Sequence, residues 1–117
     1  QTTRVRIHRQ LPGQEIPLHT DGNNTAVKDK NDYMIRSITA LTASKDFRYN
    51  FIDTENKHRV QWLRQGETIL FDPDLIAHGM LNESKTETRY ALVQIFKLYP
   101  VTDWARDFIS TEKVVTI

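Results

Sequence analysis

Polar and apolar residues alternate along the first stretch of the chain, with Val5, Ile7 and Leu11 on one parity and Arg4, Arg6, His8 and Gln10 on the other. A period of two marks a half-buried strand and predicts one over Thr3 to Leu11. Pro12-Gly13 ends it with a turn, and Glu15 to His19 reads as a short extended piece interrupted by Pro17. The polar, aperiodic run from Asp21 to Asp32 reads as the longest loop. Tyr33 to Thr42 and Phe47 to Ile52 are rich in β-branched and aromatic residues and read as strands. Past a charged turn at Asp53 to His58, the runs Arg59 to Leu63 and Glu67 to Phe71 flank Gln65-Gly66 in the manner of a hairpin. Asp72-Pro73-Asp74 reads as a turn, Leu75 to Leu81 as a further strand and Asn82 to Thr86 as another turn.

The clearest strand signal is Thr88 to Tyr99. Arg89, Ala91, Val93 and Ile95 share one face, Tyr90, Leu92, Phe96 and Leu98 the other, and a strand apolar on both sides is expected to be buried on both. After Pro100, Thr102 or Asp103 is placed to cap a short C-terminal helix through Ile109, with Trp104 and Phe108 on one face. Short strands separated by frequent turn signals predict an all-β domain, a sandwich or jelly roll, with a short helix at its end.

Composition narrows the function classes. A chain of 117 residues is one domain, residues 1–117, with room for a single core. Its formal charge of +1, with acidic and basic residues interspersed, offers no field for nucleic acid or for a membrane surface. No apolar run is long enough to span a bilayer, and no stretch of the chain reads as a signal peptide. The absence of cysteine fits a reducing, cytoplasmic setting and removes thiolates, so metal ligands must be imidazole or oxygen. Nothing in the pattern specifies an oligomeric state.

Such ligands are present in a suggestive pattern. His19-Thr20-Asp21 closes the second predicted strand, and His78 follows the Asp72-Pro73-Asp74 turn. An imidazole and a carboxylate two apart, with a distant second imidazole, make a two-His-one-carboxylate facial set that leaves half of an iron's coordination sphere open. Arg89 opens the last strand, where an inward guanidinium needs an anion, and its planar fork suits a carboxylate. Tyr33 and Tyr49 read as core or barrel wall with a hydroxyl to offer that anion, Trp62 as a core anchor, and His58 as solvated. Asn82 reads as fixing the turn after His78 or as orienting its imidazole.

Together these strings resemble the aspartyl/asparaginyl β-hydroxylase-like branch of the Fe(II)- and 2-oxoglutarate-dependent oxygenases, from about Ile7 to Pro100. One part of the resemblance is Leu11 to Asp21, with its proline-glycine turn ahead of the first ligand. The other is the spaced set Trp62, Gly66, Phe71-Asp72, His78, Asn82, Arg89 and Leu92, closed by Tyr99-Pro100. The resemblance implies a double-stranded β-helix, or cupin-like jelly roll, that holds Fe(II) through His19, Asp21 and His78. It implies 2-oxoglutarate bound through Arg89, a substrate met by Arg36, and hydroxylation of an amino-acid-like small molecule or peptide with molecular oxygen. Two positions depart from the family pattern. Ile38 stands where a histidine often helps hold the co-substrate, and His8 where a serine assists the arginine, so His8 is the candidate second donor to 2-oxoglutarate. The alternative reading is a catalytically silent cupin-like module that binds a metal or a small anion.

Overall fold

The computed structural model describes residues 2–21, 33–98 and 111–115. Within them the chain forms nine strands and no helix: β1 (Thr2–Gln10), β2 (Glu15–His19), β3 (Tyr33–Ala40), β4 (Phe47–Ile52), β5 (His58–Gln61), β6 (Thr68–Phe71), β7 (Ala77–Asn82), β8 (Arg89–Leu98) and β9 (Lys113–Val115). The helix expected at Thr102 to Ile109 and most of the loop from Asp21 to Asp32 lie outside the described residues. No helix among the described residues is long and apolar enough to cross a membrane.

The strands form two antiparallel sheets, one in the order β1-β8-β3-β6-β9 and the other β2-β7-β4-β5. Successive strands therefore tend to cross from sheet to sheet, and the core lies between the two. Ile38, Ala40, Ile69, Phe71, Ala91 and Val93 from the first sheet meet Tyr49, Phe51 and Met80 from the second, with Leu63 and Ile76 closing the layer. Inward positions recur at every second residue, as in the buried 47, 49 and 51 of β4, because the side-chain period of a strand is two. The Phe51 and Phe71 rings meet edge to face across the layer at 5.2 Å.

Three expectations are corrected by this arrangement. β5 and β6 belong to different sheets, so the turn at Gln65-Gly66 is a crossing between sheets and not a hairpin. Gly66, at φ +88°, donates its N–H to the Ala40 carbonyl at 2.8 Å and so anchors that crossing to the end of β3. β8 is buried on one face only: Arg89, Ala91, Val93 and Ile95 are buried, whereas Tyr90 is exposed and Leu92, Gln94 and Phe96 are half-covered. Trp62 is 53% exposed and is held by an N–H donated to the Lys45 carbonyl, so it anchors a surface turn and not the core.

β1 is the strand whose faces most defy its composition. Its apolar parity points out, leaving Val5 55% and Ile7 66% exposed, while Gln10 is buried and His8 partly so. His8 and Gln10 face the interior because the partners they need are there.

The two sheets are also tied at one margin. The buried carboxylate of Glu112, just ahead of β9, accepts hydrogen bonds from Arg59 and, at 3.1 Å, from Gln61, both on β5.

Candidate metal centre

His19 ends β2 and His78 lies in β7, and the two residues stand directly opposite each other in the antiparallel pairing. A bulge makes this so. Ile16 pairs with Met80 and His19 with His78, so the β2 side has one residue more than the β7 side between those points. Without it Leu18 would oppose His78 and His19 would fall on the outer face. The local cause is Pro17, which lacks the N–H that a regular ladder requires and is tolerated at a bulge. The partner strand accommodates the bulge at Gly79, where the bulged backbone passes so close that there is no room for a side chain.

Both imidazoles are oriented in the same way. Nδ1–H of His19 donates to the Pro17 carbonyl at 2.8 Å, and Nδ1–H of His78 to the Ile76 carbonyl at 2.9 Å. Each ring is thus fixed by the carbonyl two residues before it, and the Nε2 lone pair is left for another partner. The rings lie 4.5 Å apart, and that of His78 packs on Phe71 at 4.9 Å. Asp21, whose backbone N–H is held by the Pro73 carbonyl at 2.9 Å, brings Oδ1 to 3.0 Å from Nε2 of His78 and 3.5 Å from Nε2 of His19. The ligand-capable atoms of the three residues all lie within 4.8 Å of one another.

Three acceptors converging this closely call for a cation. Burial would push the Asp21 carboxyl up, but its polar contacts within the cluster, the Arg36 guanidinium among them, outweigh it and hold the group below the ordinary aspartate value. The carboxylate is therefore ionised at neutral pH. Arg36, on β3 of the facing sheet, pairs with it through Nη2 and places Nη1 3.1 Å from Nε2 of His78. The resemblance assigns Arg36 to a substrate; its described partners are instead the ligand residues themselves.

A cavity of about 160 Å³ opens beside this cluster, walled by the apolar Ile16, Ile38, Met80 and Val93 and by the polar Arg6, His8 and Arg36. Pockets for drug-sized ligands measure roughly 300–1,000 Å³, so this space suits a smaller molecule. Ile38, which replaces an expected polar co-substrate contact, belongs to this apolar wall.

Arg89 is 0% exposed and has no carboxylate among its described partners. Nε donates to Oε1 of Gln10 at 2.8 Å, Nη2 donates to Nδ1 of His8 at 3.2 Å, and the guanidinium lies 5.0 Å from the centroid of the Tyr49 ring. Nη1 of Arg89 and the hydroxyl of Tyr49 are both buried without a hydrogen-bond partner. A buried guanidinium and a buried hydroxyl thus each keep an unused donor, which is the chemistry an anion would call on. Tyr33's side chain lies outside the described residues.

His8 links Arg89 to the cavity, since it lines the cavity and bonds to the guanidinium. Because Arg89 can only donate, Nδ1 of His8 is the acceptor and Nε2 carries the proton. Burial first, then the charges of Arg89 and Arg6, lower the His8 pKa below 6.5 and keep the ring neutral. A depressed histidine contributes stability that is complete above its unfolded value of 6.5 and is lost as the pH falls through the folded value. His8→Gln is therefore expected to flatten the decline of melting temperature below pH 6.5 relative to the wild type. Parallel curves in a series of thermal melts would refute it.

The pattern of residues concealed one member of the site. Gln10 is buried, accepts from Arg89 and donates through Nε2 to the Met80 and Gln14 carbonyls, each at 3.0 Å. Its signal was its parity with His8. Asn82 secures the neighbouring turn: its Nδ2 donates to the Gln10 and Glu87 carbonyls, its Oδ1 accepts from Ser84 N–H, and His78 is not among its partners. Asp72 likewise caps a turn, its Oδ1 accepting the N–H groups of Asp74 and Leu75, and His58 is exposed. Compared with protein-family models and with curated proteins, the chain matches none.

Proposed function

We propose that this chain is an Fe(II)- and 2-oxoglutarate-dependent dioxygenase of the aspartyl/asparaginyl β-hydroxylase-like branch, hydroxylating an amino-acid-like substrate with molecular oxygen. The observation that carries the reading is a conjunction: a His-Asp-His cluster in which both Nδ1–H groups are committed to backbone carbonyls so that the Nε2 lone pairs face the cluster, and in the same domain a buried arginine with an unused donor. A purely structural metal site has no use for the second. The sheet orders β1-β8-β3-β6 and β2-β7-β4-β5 support a double-stranded β-helix, in which consecutive strands alternate between sheets.

His19, Asp21 and His78 would hold the metal. Nitrogen and carboxylate donors without sulfur suit ferrous iron, and a facial set leaves positions open for other ligands. When bound, iron and 2-oxoglutarate supply the oxidising chemistry, in which oxygen decarboxylates the co-substrate to succinate and CO₂ and a C–H bond of the substrate becomes C–OH. The chain's own groups supply the rest. The Pro17 and Ile76 carbonyls keep the two imidazoles in the coordinating tautomer. Arg89 and Tyr49 have the spare donors for the distal carboxylate, and Nε2–H of His8 adds a third. Ile16, Ile38, Met80 and Val93 give the cavity an apolar wall opposite its charged groups.

Anaerobic addition of Fe(II) and then 2-oxoglutarate is expected to produce a weak visible charge-transfer band that needs both. Arg89→Met is expected to weaken 2-oxoglutarate binding about a hundredfold, since truncating one partner of a buried charge pair costs roughly 2–5 kcal/mol. Metal binding without the band would favour a silent metal- or anion-binding cupin module. No metal binding would sink the assignment.

A further inference from the structure

One cation already stands at the ligand cluster. Arg36 reaches both carboxylate oxygens of Asp21, Nη1 lying 3.5 Å from Oδ1, and the same Nη1 lies 3.1 Å from Nε2 of His78. A guanidinium has only donors. With Nδ1–H of His78 committed to Ile76, the contact at Nε2 is a donation from Arg36 into the lone pair that a metal would take. The Asp21 lone pairs are shared in the same way. A metal ion and this guanidinium cannot hold the same lone pairs, and their like charges repel in a partly buried site.

We propose that Arg36 is a resident competitor for the metal site: metal entry drives its guanidinium off Asp21 and His78, and only then is the arginine free to receive an anionic group of the substrate. The inference rests on reading the cluster as a metal centre. Arg36 is placed for such a role because it reaches the ligands from β3, on the sheet opposite to the strands carrying the two histidines. It also lines the cavity. Its Nε is buried without a partner, so the guanidinium is not fully satisfied where it rests. Once displaced, it is a buried cation lacking a counter-ion, and an anion entering the cavity would relieve it. By linkage, metal and anion then strengthen each other's binding. Metal-free protein would be kept from binding substrate unproductively, its anion receptor being occupied by Asp21.

Titration of Zn(II) or Co(II) into the wild type, Arg36→Met and Arg36→Lys tests this, followed by calorimetry and by the visible bands of Co(II). Removing a partner usually weakens a neighbouring site, but here Arg36→Met is expected to bind metal about tenfold more tightly, because a bidentate charge-assisted contact no longer has to be broken. Arg36→Lys, with a point charge and no fork, is expected to fall between the two. In the wild type, the guanidinium ¹⁵N–H signals of Arg36 are expected to shift or vanish on adding Zn(II), a readout that does not depend on how well a variant folds. Equal or weaker metal binding by Arg36→Met, or guanidinium signals indifferent to Zn(II), would overturn the competitor role alone. Failure of every form to bind metal would overturn the metal centre beneath it.

Discussion

His78→Ala is expected to abolish measurable metal binding while leaving a folded protein. The imidazole is buried, with Nε2 3.0 Å from Oδ1 of Asp21, and it is the only ligand residue that β7 supplies. Without it, His19 and Asp21 remain as two ligands at one end of β2, and His19 is exposed to competing water. Loss of an outer-shell partner alone typically costs about 10–100-fold in affinity, so loss of the ligand is expected to exceed a hundredfold. The fold suffers a smaller penalty. The Ile76 carbonyl loses its donor and Phe71 loses a neighbour at 4.9 Å, together a loss on the order of 1–3 kcal/mol. Equilibrium dialysis against Co(II), paired with thermal melting, separates the two effects. Affinity within tenfold of the wild type would remove His78 from the metal set.

Gly79→Ala is expected to damage fold and site together. An added Cβ would lie 2.6 Å from the Ile16 carbonyl oxygen, 2.9 Å from Leu18 N and 3.0 Å from Pro17 C. All three are backbone atoms, so no rotamer change can clear them, and β2 must lift away from β7. Overpacking of this kind costs about 1–3 kcal/mol. For a domain of this size that lowers the melting temperature by about 5–15 °C. The displaced segment is the one that sets His19 opposite His78, so metal affinity falls too. His19→Ala, by contrast, is expected to lose metal affinity with little change in melting temperature, since its side chain is exposed. A Gly79→Ala variant that melts with the wild type would show that β2 does not depend on this close approach.

Much of the strand content is legible because turn residues punctuate it and because buried positions recur at the strand period. His19 and Asp21 can be paired by eye, being two apart. Their meeting with His78 cannot, since it depends on a bulge that Pro17 permits and that alternation alone would misplace by one residue. Arg89 is legible as an inward charge, yet its partner Gln10 is not, because a glutamine on a polar parity reads as solvent-facing. The turn at Gln65-Gly66 looks like a hairpin because local chemistry describes how a chain bends and says nothing of which sheet receives it. Trp62 is misplaced by its bulk: an indole held through one N–H can lie flat on the surface. The pairing of Arg36 with Asp21 is not legible, because no short-range pattern reports a carboxylate reached across the sheets.

The inverted strand β1 carries a cost in its choice of register. Sliding it by one residue against β8 would turn Val5 and Ile7 inward and send His8 and Gln10 to solvent, an exchange that hydrophobicity alone would favour. What opposes the slide is the set of bonds made by Gln10 to Arg89, Met80 and Gln14. The hydrogen bonds that hold Arg89 in place are thus also the ones that tell β1 where to stop. Local preference and global structure conflict along this strand, and the polar contacts that settle the conflict lie where the chemistry would occur.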